Sequence, residues 1–199
     1  GDSCIFVSSD NIGCISSISD LVTKGKYVPK NLKRMSGKKV CRDIKSGLTW
    51  ITLNEGLATF EHNELTPFTI NNAPVFCNVL YADGTGLWAG TISDGVYNIL
   101  HKKTRLHLNE TNGLKGSNVL AIISQHDTLY VATNLCINIR YPNKQFEYID
   151  YTDGINAKEI TSLCITGRHI LIGTIRGLFD IPVNNSFTNK YRPDIALTS

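Results

Sequence analysis

Glu55, Asp94 and Arg176 stand at one and the same position of a sequence unit that recurs along the chain. Asn54, Ser93 and Ile175 precede them, and two further copies place Asn11–Ile12 and Asn134–Leu135 there. Asn54, Glu55, Ser93, Asp94, Asn134 and Arg176 are therefore the candidate ligand-binding residues. Two carboxylates, a guanidinium and several amides round one opening suit a polar ligand such as a sugar, which needs convergent hydrogen-bonding groups. Paired carboxylates also drive glycoside hydrolysis, which makes Glu55 and Asp94 a conceivable general acid and base. A structural explanation competes with both, because Asn or Asp before Gly is ordinary turn chemistry.

These residues must be positioned by whatever the repeat folds into. Five segments are variants of one another: Ile5–Ser9 (IFVSS), Leu48–Thr52 (LTWIT), Leu87–Thr91 (LWAGT), Leu129–Thr133 (LYVAT) and Ile170–Thr174 (ILIGT). Their starts are separated by 43, 39, 42 and 41 residues, a period typical of repeat architectures. Around each lie short β-branched or aromatic runs punctuated by Gly and Asp-Gly, the signature of hairpins. A further strand closes each unit, near Leu65–Ile70, Arg105–Leu108, Phe146–Tyr151 and Phe187–Tyr191. No stretch keeps a 3.6-residue amphipathic period, so almost no helix is expected.

Four antiparallel strands in about forty residues make one blade of a β-propeller. The expected fold is all-β: one five-bladed β-propeller of four-stranded antiparallel blades, occupying residues 1–199 as a single domain. Its blades fall near 1–36 with 194–199, 37–74, 75–115, 116–156 and 157–193. The tail Ile195–Ser199 (IALTS) reads like the first-strand segments VLAIIS and SLCIT. It is expected to complete the N-terminal blade and close the ring, since an open array leaves sheet edges bare. One spacing opposes this: the wrap from Ile170 to Ile5 covers only 34 residues. In such a blade the turn between the second and third strands opens on the same side as the connection to the next blade. The candidate residues would then share one face.

The segment GTGLWAGTISDGVYNI (84–99) resembles the repeat of two-component-regulator propellers, and ILIGTIRGLFDIP (170–182) and SGLTWITLNEGLATF (46–60) resemble it nearly as well. TNGLKGSNVLAI (111–122) and TDGINAKEITSL (152–163) resemble that repeat's connection into the next inner strand. The likeness covers roughly 38–182, whereas IFVSSDNIGC lacks the Trp and the Gly-Thr pair. It implies a bacterial sensor-type propeller outside the cytoplasmic membrane, periplasmic or extracellular. It therefore implies a non-catalytic ligand-binding or sensing module, with an oligosaccharide or other small polar ligand as partner. The alternatives are a protein–protein interaction scaffold and a glycoside hydrolase-like enzyme. The three-Tyr-type domain, membrane helix and kinase of those sensors do not follow in this sequence.

Composition narrows the classes further. Hydrophobic residues make up 42% and charged residues 19%, which fits a packed domain. A net charge of +3 is too small to argue for nucleic acid, and no apolar run approaches a membrane span. Residues GDSC at the start read as a processed or trimmed end. The six cysteines (4, 14, 41, 77, 136 and 164) show no metal spacing and read mostly as small buried hydrophobes. The five histidines likewise lack metal spacing, so neither metal nor cofactor is expected. Trp50 and Trp88 are expected to pack between blades rather than to stack on sugar. Lys24–Lys39 (KGKYVPKNLKRMSGKK) carries seven basic residues and no acid; it reads as a solvated edge strand kept from pairing by its lysines. The inner-strand segments are nearly free of acids, with Asp43 the nearest, and no catalytic residue is assigned.

Overall fold

The computed structural model describes residues 4–7, 12–15, 30–33, 37–62, 64–182 and 194–196, with side chains described over 37–62 and 64–182. Each of the five recurring segments lies in a strand over its described residues. The first sheet holds β1 (Cys4–Val7), β2 (Ile12–Ile15) and β3 (Lys30–Lys33). The second holds β4 (Gly37–Arg42), β5 (Thr49–Leu53), β6 (Gly56–Glu61) and β7 (Glu64–Pro67). A ribbon of β8 (Thr69–Ile70) and β9 (Ala73–Pro74) follows. The third sheet comprises β10 (Cys77–Asp83), β11 (Gly86–Thr91), β12 (Val96–Leu100) and β13 (Lys103–Leu108). The fourth comprises β14 (Val119–Gln125), β15 (Thr128–Thr133), β16 (Ile137–Arg140) and β17 (Phe146–Ile149). The fifth comprises β18 (Ile160–Thr166), β19 (His169–Thr174), β20 (Gly177–Pro182) and β21 (Asp194–Ala196). All pairings are antiparallel, and the described residues contain no α-helix.

Consecutive sheets stack in chain order, β1 against β4, β4 against β10, β10 against β14 and β14 against β18. The core consequently lies between sheets rather than inside any one of them. Trp50 and Leu57 of the second sheet, with Phe68 just after it, pack with Leu87, Ala89 and Ile99 of the third. Trp88 and Leu108 meet Val119, Ile122 and Val131 of the fourth. Ile137, Ile139 and Ile149 meet Ile160, Ile170 and Ile172 of the fifth. Both tryptophans thus sit between neighbouring sheets, as expected. A strand pressed on both faces loses the apolar–polar alternation, and β5 and β11 are buried at every position.

The glycines of the Gly-Thr pairs, Gly90 and Gly173, sit where other strands crowd their own. A Cβ on Gly90 would come within 2.5 Å of Val79 and Val119, and one on Gly173 within 2.3 Å of the Ser162 hydroxyl. Only glycine leaves room for the paired inner strand (Val79, Ser162) and, at Gly90, for Val119 of the next sheet.

Two expectations differ from what the chain does. The strand anticipated across Leu65–Ile70 breaks after Pro67, which has no N–H to continue a ladder. Phe68 instead turns inward, donating its N–H to Leu57 O at 2.8 Å and setting its ring edge-on to Trp50 with centroids 5.2 Å apart. Asn71 and Asn72, at φ of 51° and 64°, then form the tip of the β8–β9 hairpin. The second difference concerns closure. Residues 194–196, expected to complete the N-terminal blade, pair with β20 as the fourth strand of the fifth sheet, with Phe179 opposite Ile195. Pairing with the nearer edge closes the shorter loop, at the smaller entropic cost. The segment Phe187–Tyr191 lies outside the described residues.

The Trp50 side chain is fully buried, yet its indole N–H finds no partner among the described residues. Trp50→Ala should destabilise by about 3–5 kcal/mol, and Trp50→Phe by much less, because it retains the edge contact while removing an unsatisfied donor. Urea unfolding of the two variants measures this. Lys144 closes the β16–β17 turn at φ of 69°, so Lys144→Gly should raise stability by about 1 kcal/mol, read as a higher melting temperature.

Candidate functional site

The turn joining the second and third strands of the third, fourth and fifth sheets is built on the threonine that ends the second strand. Thr91 Oγ1 donates to Gly95 O at 2.9 Å and accepts from the Asp94 N–H at 2.7 Å. Thr174 repeats this with Gly177 O at 3.0 Å and the Arg176 N–H at 3.2 Å. Thr133 Oγ1 bonds Lys115 O and Cys136 O and receives the Leu135 N–H. The residue after each threonine donates to the one preceding that sheet's inner strand: Ile92 to Phe76 O, Asn134 to Asn118 O and Ile175 to Glu159 O. These repeated bonds put the turns and the inter-sheet connections on one face.

The connections are locally capped. Asn109 accepts from the Thr111 N–H and Asp150 from the Thr152 N–H, each opening a single 3-10 turn. Gly113 and Gly154 end those turns at φ of 110° and 89°, and Leu114 and Ile155 then plug the core.

Asn54 and Glu55 form an exposed two-residue turn between Leu53 and Gly56. Ser93 and Asp94 line a cavity of about 370 Å³, walled by Asn71, Pro74 and Phe76 from the ribbon and by Tyr97. Asp94 is fixed there. The Tyr97 hydroxyl donates to its Oδ2, while His107 Nε2 lies 2.7 Å from its carbonyl and 3.3 Å from Oδ1. The Tyr97 and His107 rings stack with centroids 4.1 Å apart. Burial and the Asp94 carboxylate together push the Tyr97 hydroxyl well above its ordinary range, so it stays a donor. Asn134 keeps its Oδ1 buried with no partner among the described residues. Arg176 is exposed and pairs with Glu159 at 2.9 Å. Of the six candidates, Ser93 and Asp94 share this cavity; Asn54, Glu55, Asn134 and Arg176 are not among its walls.

Tyr97, His107 and Glu159 escaped the sequence reading. Tyr97 and His107 are cross-strand partners, and no sequence spacing marks such a pair before the β12–β13 register is known.

The opposite face, formed by first-to-second and third-to-fourth turns, carries a larger cleft of about 780 Å³ between the third and fourth sheets. Asp83 anchors its wall. Its carboxylate accepts from Thr85 N–H and hydroxyl, the Trp88 indole at 2.8 Å and the Ser124 hydroxyl at 2.8 Å. Burial alone would raise the Asp83 carboxyl, but the bonds from Thr85, Ser124 and Trp88 outweigh it and hold the acid below its usual range.

Cys77 and Cys136 are buried and Cys164 exposed, and the four described cysteines are all free thiols. Burial pushes the Cys77 thiol up to about 12, which suits packing and not nucleophilic chemistry. No group of three metal-ligating side chains gathers among the described residues, and no described helix is long and apolar enough to cross a membrane.

No protein-family model matches the chain, and no match was found among curated proteins. Solved structures do match. The extracellular domain assigned to the hybrid two-component system BT3049 from B. thetaiotaomicron superposes with a TM-score of 0.71 at 18% identity, covering 93% of this chain and 26% of that one. The corresponding domain of BT4673 from the same organism gives 0.58 at 24% identity over 73% of this chain and 20% of that one. PorZ, a surface component of the type-IX secretion system of Porphyromonas gingivalis, gives 0.69 at 12% identity over 100% and 27%. The chain spans about a quarter of the length of these structures. Likeness at such identities establishes a shared fold, the stacked all-β propeller-like class, and the repeat motif agrees with it.

Thr133→Val keeps the shape but strips the hydroxyl from the Lys115, Leu135 and Cys136 bonds, and should cost about 1–3 kcal/mol in chemical unfolding. Because Asp83 is held ionised in the folded state, its stabilisation is present above the unfolded acid's pKa of about 3.9 and lost as pH falls below it. Asp83→Asn should therefore be less stable at pH 7 and show a flatter loss of stability between about pH 5 and 2, measured by melting temperature against pH.

Proposed function

We propose that this chain is a non-catalytic binding module of an extracytoplasmic bacterial sensor, its five sheets acting as the blades of one domain. The ligand is a small polar molecule, with an oligosaccharide as the leading class, taken at the face carrying Ser93 and Asp94. One observation carries this reading. Asp94 is oriented by Tyr97 and His107 at the edge of a cavity that also presents the apolar Pro74 and Phe76. A fixed hydrogen-bonding group beside an apolar surface suits a sugar, whose ring has polar edges and apolar faces. The repeat motif and the fold shared with BT3049 and BT4673 support a sensing role and a location outside the cytoplasmic membrane.

Catalysis by Glu55 and Asp94 is the weaker reading. A glycosidase acid is seated in an apolar pocket that keeps it protonated, and both of these residues are exposed. A protein partner is favoured by a specific feature of the same face: Phe76, Ile92, Leu135, Tyr151 and Ile175 are all exposed there, at 43–80%.

A thermal-shift screen against neutral oligosaccharides tests the choice. Ligand at a hundred times its Kd adds about 2.7 kcal/mol, a rise of about 5–10 °C for a domain of this size. The shift should vanish in Asp94→Asn. A flat screen, with a protein captured through the face and released by Leu135→Asp, would establish the scaffold instead. Reducing sugar released by the wild type but not by Glu55→Gln would establish the enzyme.

A further inference from the structure

The larger cleft on the opposite face holds two guanidinium groups that the fold itself does not use. Arg105 is the extra residue of a β-bulge in β13: Asn98 pairs with Leu106 and Ile99 with Thr104, leaving Arg105 unpaired in the ladder. A bulge frees a side chain from strand alternation and re-aims it, and here it faces the cleft. Arg140 ends β16, opposite Leu129 and Phe146, and enters the same cleft half-buried from the neighbouring sheet. Neither guanidinium makes an ion pair with a described residue. Burial lowers the Arg140 pKa from its ordinary value with no carboxylate to offset it, so its charge is partly desolvated and unpaired.

The remaining charges define what fits. Asp83 is already engaged by Thr85, Trp88 and Ser124, and Asp127 stands exposed at the β14–β15 turn beside His126. Two cations against two carboxylates leave the cleft without the excess positive charge a multiply charged phosphate would need, while the two unpaired guanidiniums still offer directed donors to a single carboxylate. Guanidinium forks bind a planar carboxylate at two points. The volume of about 780 Å³ far exceeds a lone ion, and Thr85, Gln125 and Asp127 offer partners for hydroxyls. We propose that this cleft between the third and fourth sheets binds a small hydroxylated carboxylate of the sugar-acid type, its carboxylate held by Arg105 and Arg140. The site is independent of the face described above.

Titration calorimetry of the whole chain in low salt with sodium D-galacturonate, D-galactose and sodium sulfate tests it. Saturable binding is expected for galacturonate alone, at least about tenfold weaker in Arg105→Gln and in Arg140→Gln. Arg105 is exposed, so Arg105→Gln should keep the wild-type melting temperature and judges the proposal even if Arg140→Gln unfolds. Equal binding of galactose, sulfate matching galacturonate, undiminished affinity in Arg105→Gln, or no saturable heat each overturns it. Affinity lost in Asp94→Asn rather than in the arginine variants would place binding on the other face, and would likewise overturn it.

Discussion

Apolar layers trapped between successive sheets hold this protein together, and nearly every other feature answers to them. A single four-stranded sheet of this length has no second face to bury against, so each one needs both neighbours. That demand explains why β5 and β11 are buried at every position, with apolar residues where a surface sheet would be polar. It also explains the large side chains between sheets. Trp50 fills the space between the second and third, Trp88 that between the third and fourth, and a cluster of isoleucines that between the fourth and fifth. Where inner strands must come closest, the chain uses Gly90 and Gly173.

The layers fix the sheets, and the sheets in turn fix two very different ends of the molecule. At one end the threonine hydroxyls and the bonds from Ile92, Asn134 and Ile175 tie turns to connections, giving a firm rim studded with exposed apolar side chains. At the other, Asp83 links Trp88 in one sheet to Ser124 in the next, and this inter-sheet bond frames an open cleft. The rim's hydrogen bonds recur from sheet to sheet.

Much of the architecture was legible in the sequence, since hairpin chemistry is local. The Gly-Thr segments, the Asp-Gly and Asn-rich turns and the forty-residue period each specify strands or reversals within a few residues. The fourth strand of the second sheet was misjudged at Pro67, although proline's missing N–H was visible all along. The placement of 194–196 was a different kind of miss. The sequence of IALTS reads as an inner strand, whereas its pairing with β20 is a contact between strands that the sequence pattern does not register. The candidate site was only partly legible for a similar reason: Ser93 and Asp94 share a cavity, whereas Arg176 is engaged by Glu159.

The sequence by itself determined the repeat, the strands and the sides of the turns, because those depend on backbone preferences and on a two-residue side-chain period. Tertiary structure alone decided which polar groups meet. Asp94 finds His107 through the β12–β13 register, and Arg105 shares a cleft with Arg140 of the next sheet. Such meetings are set by the packing distance between strands and between sheets, a quantity that no spacing along the chain encodes.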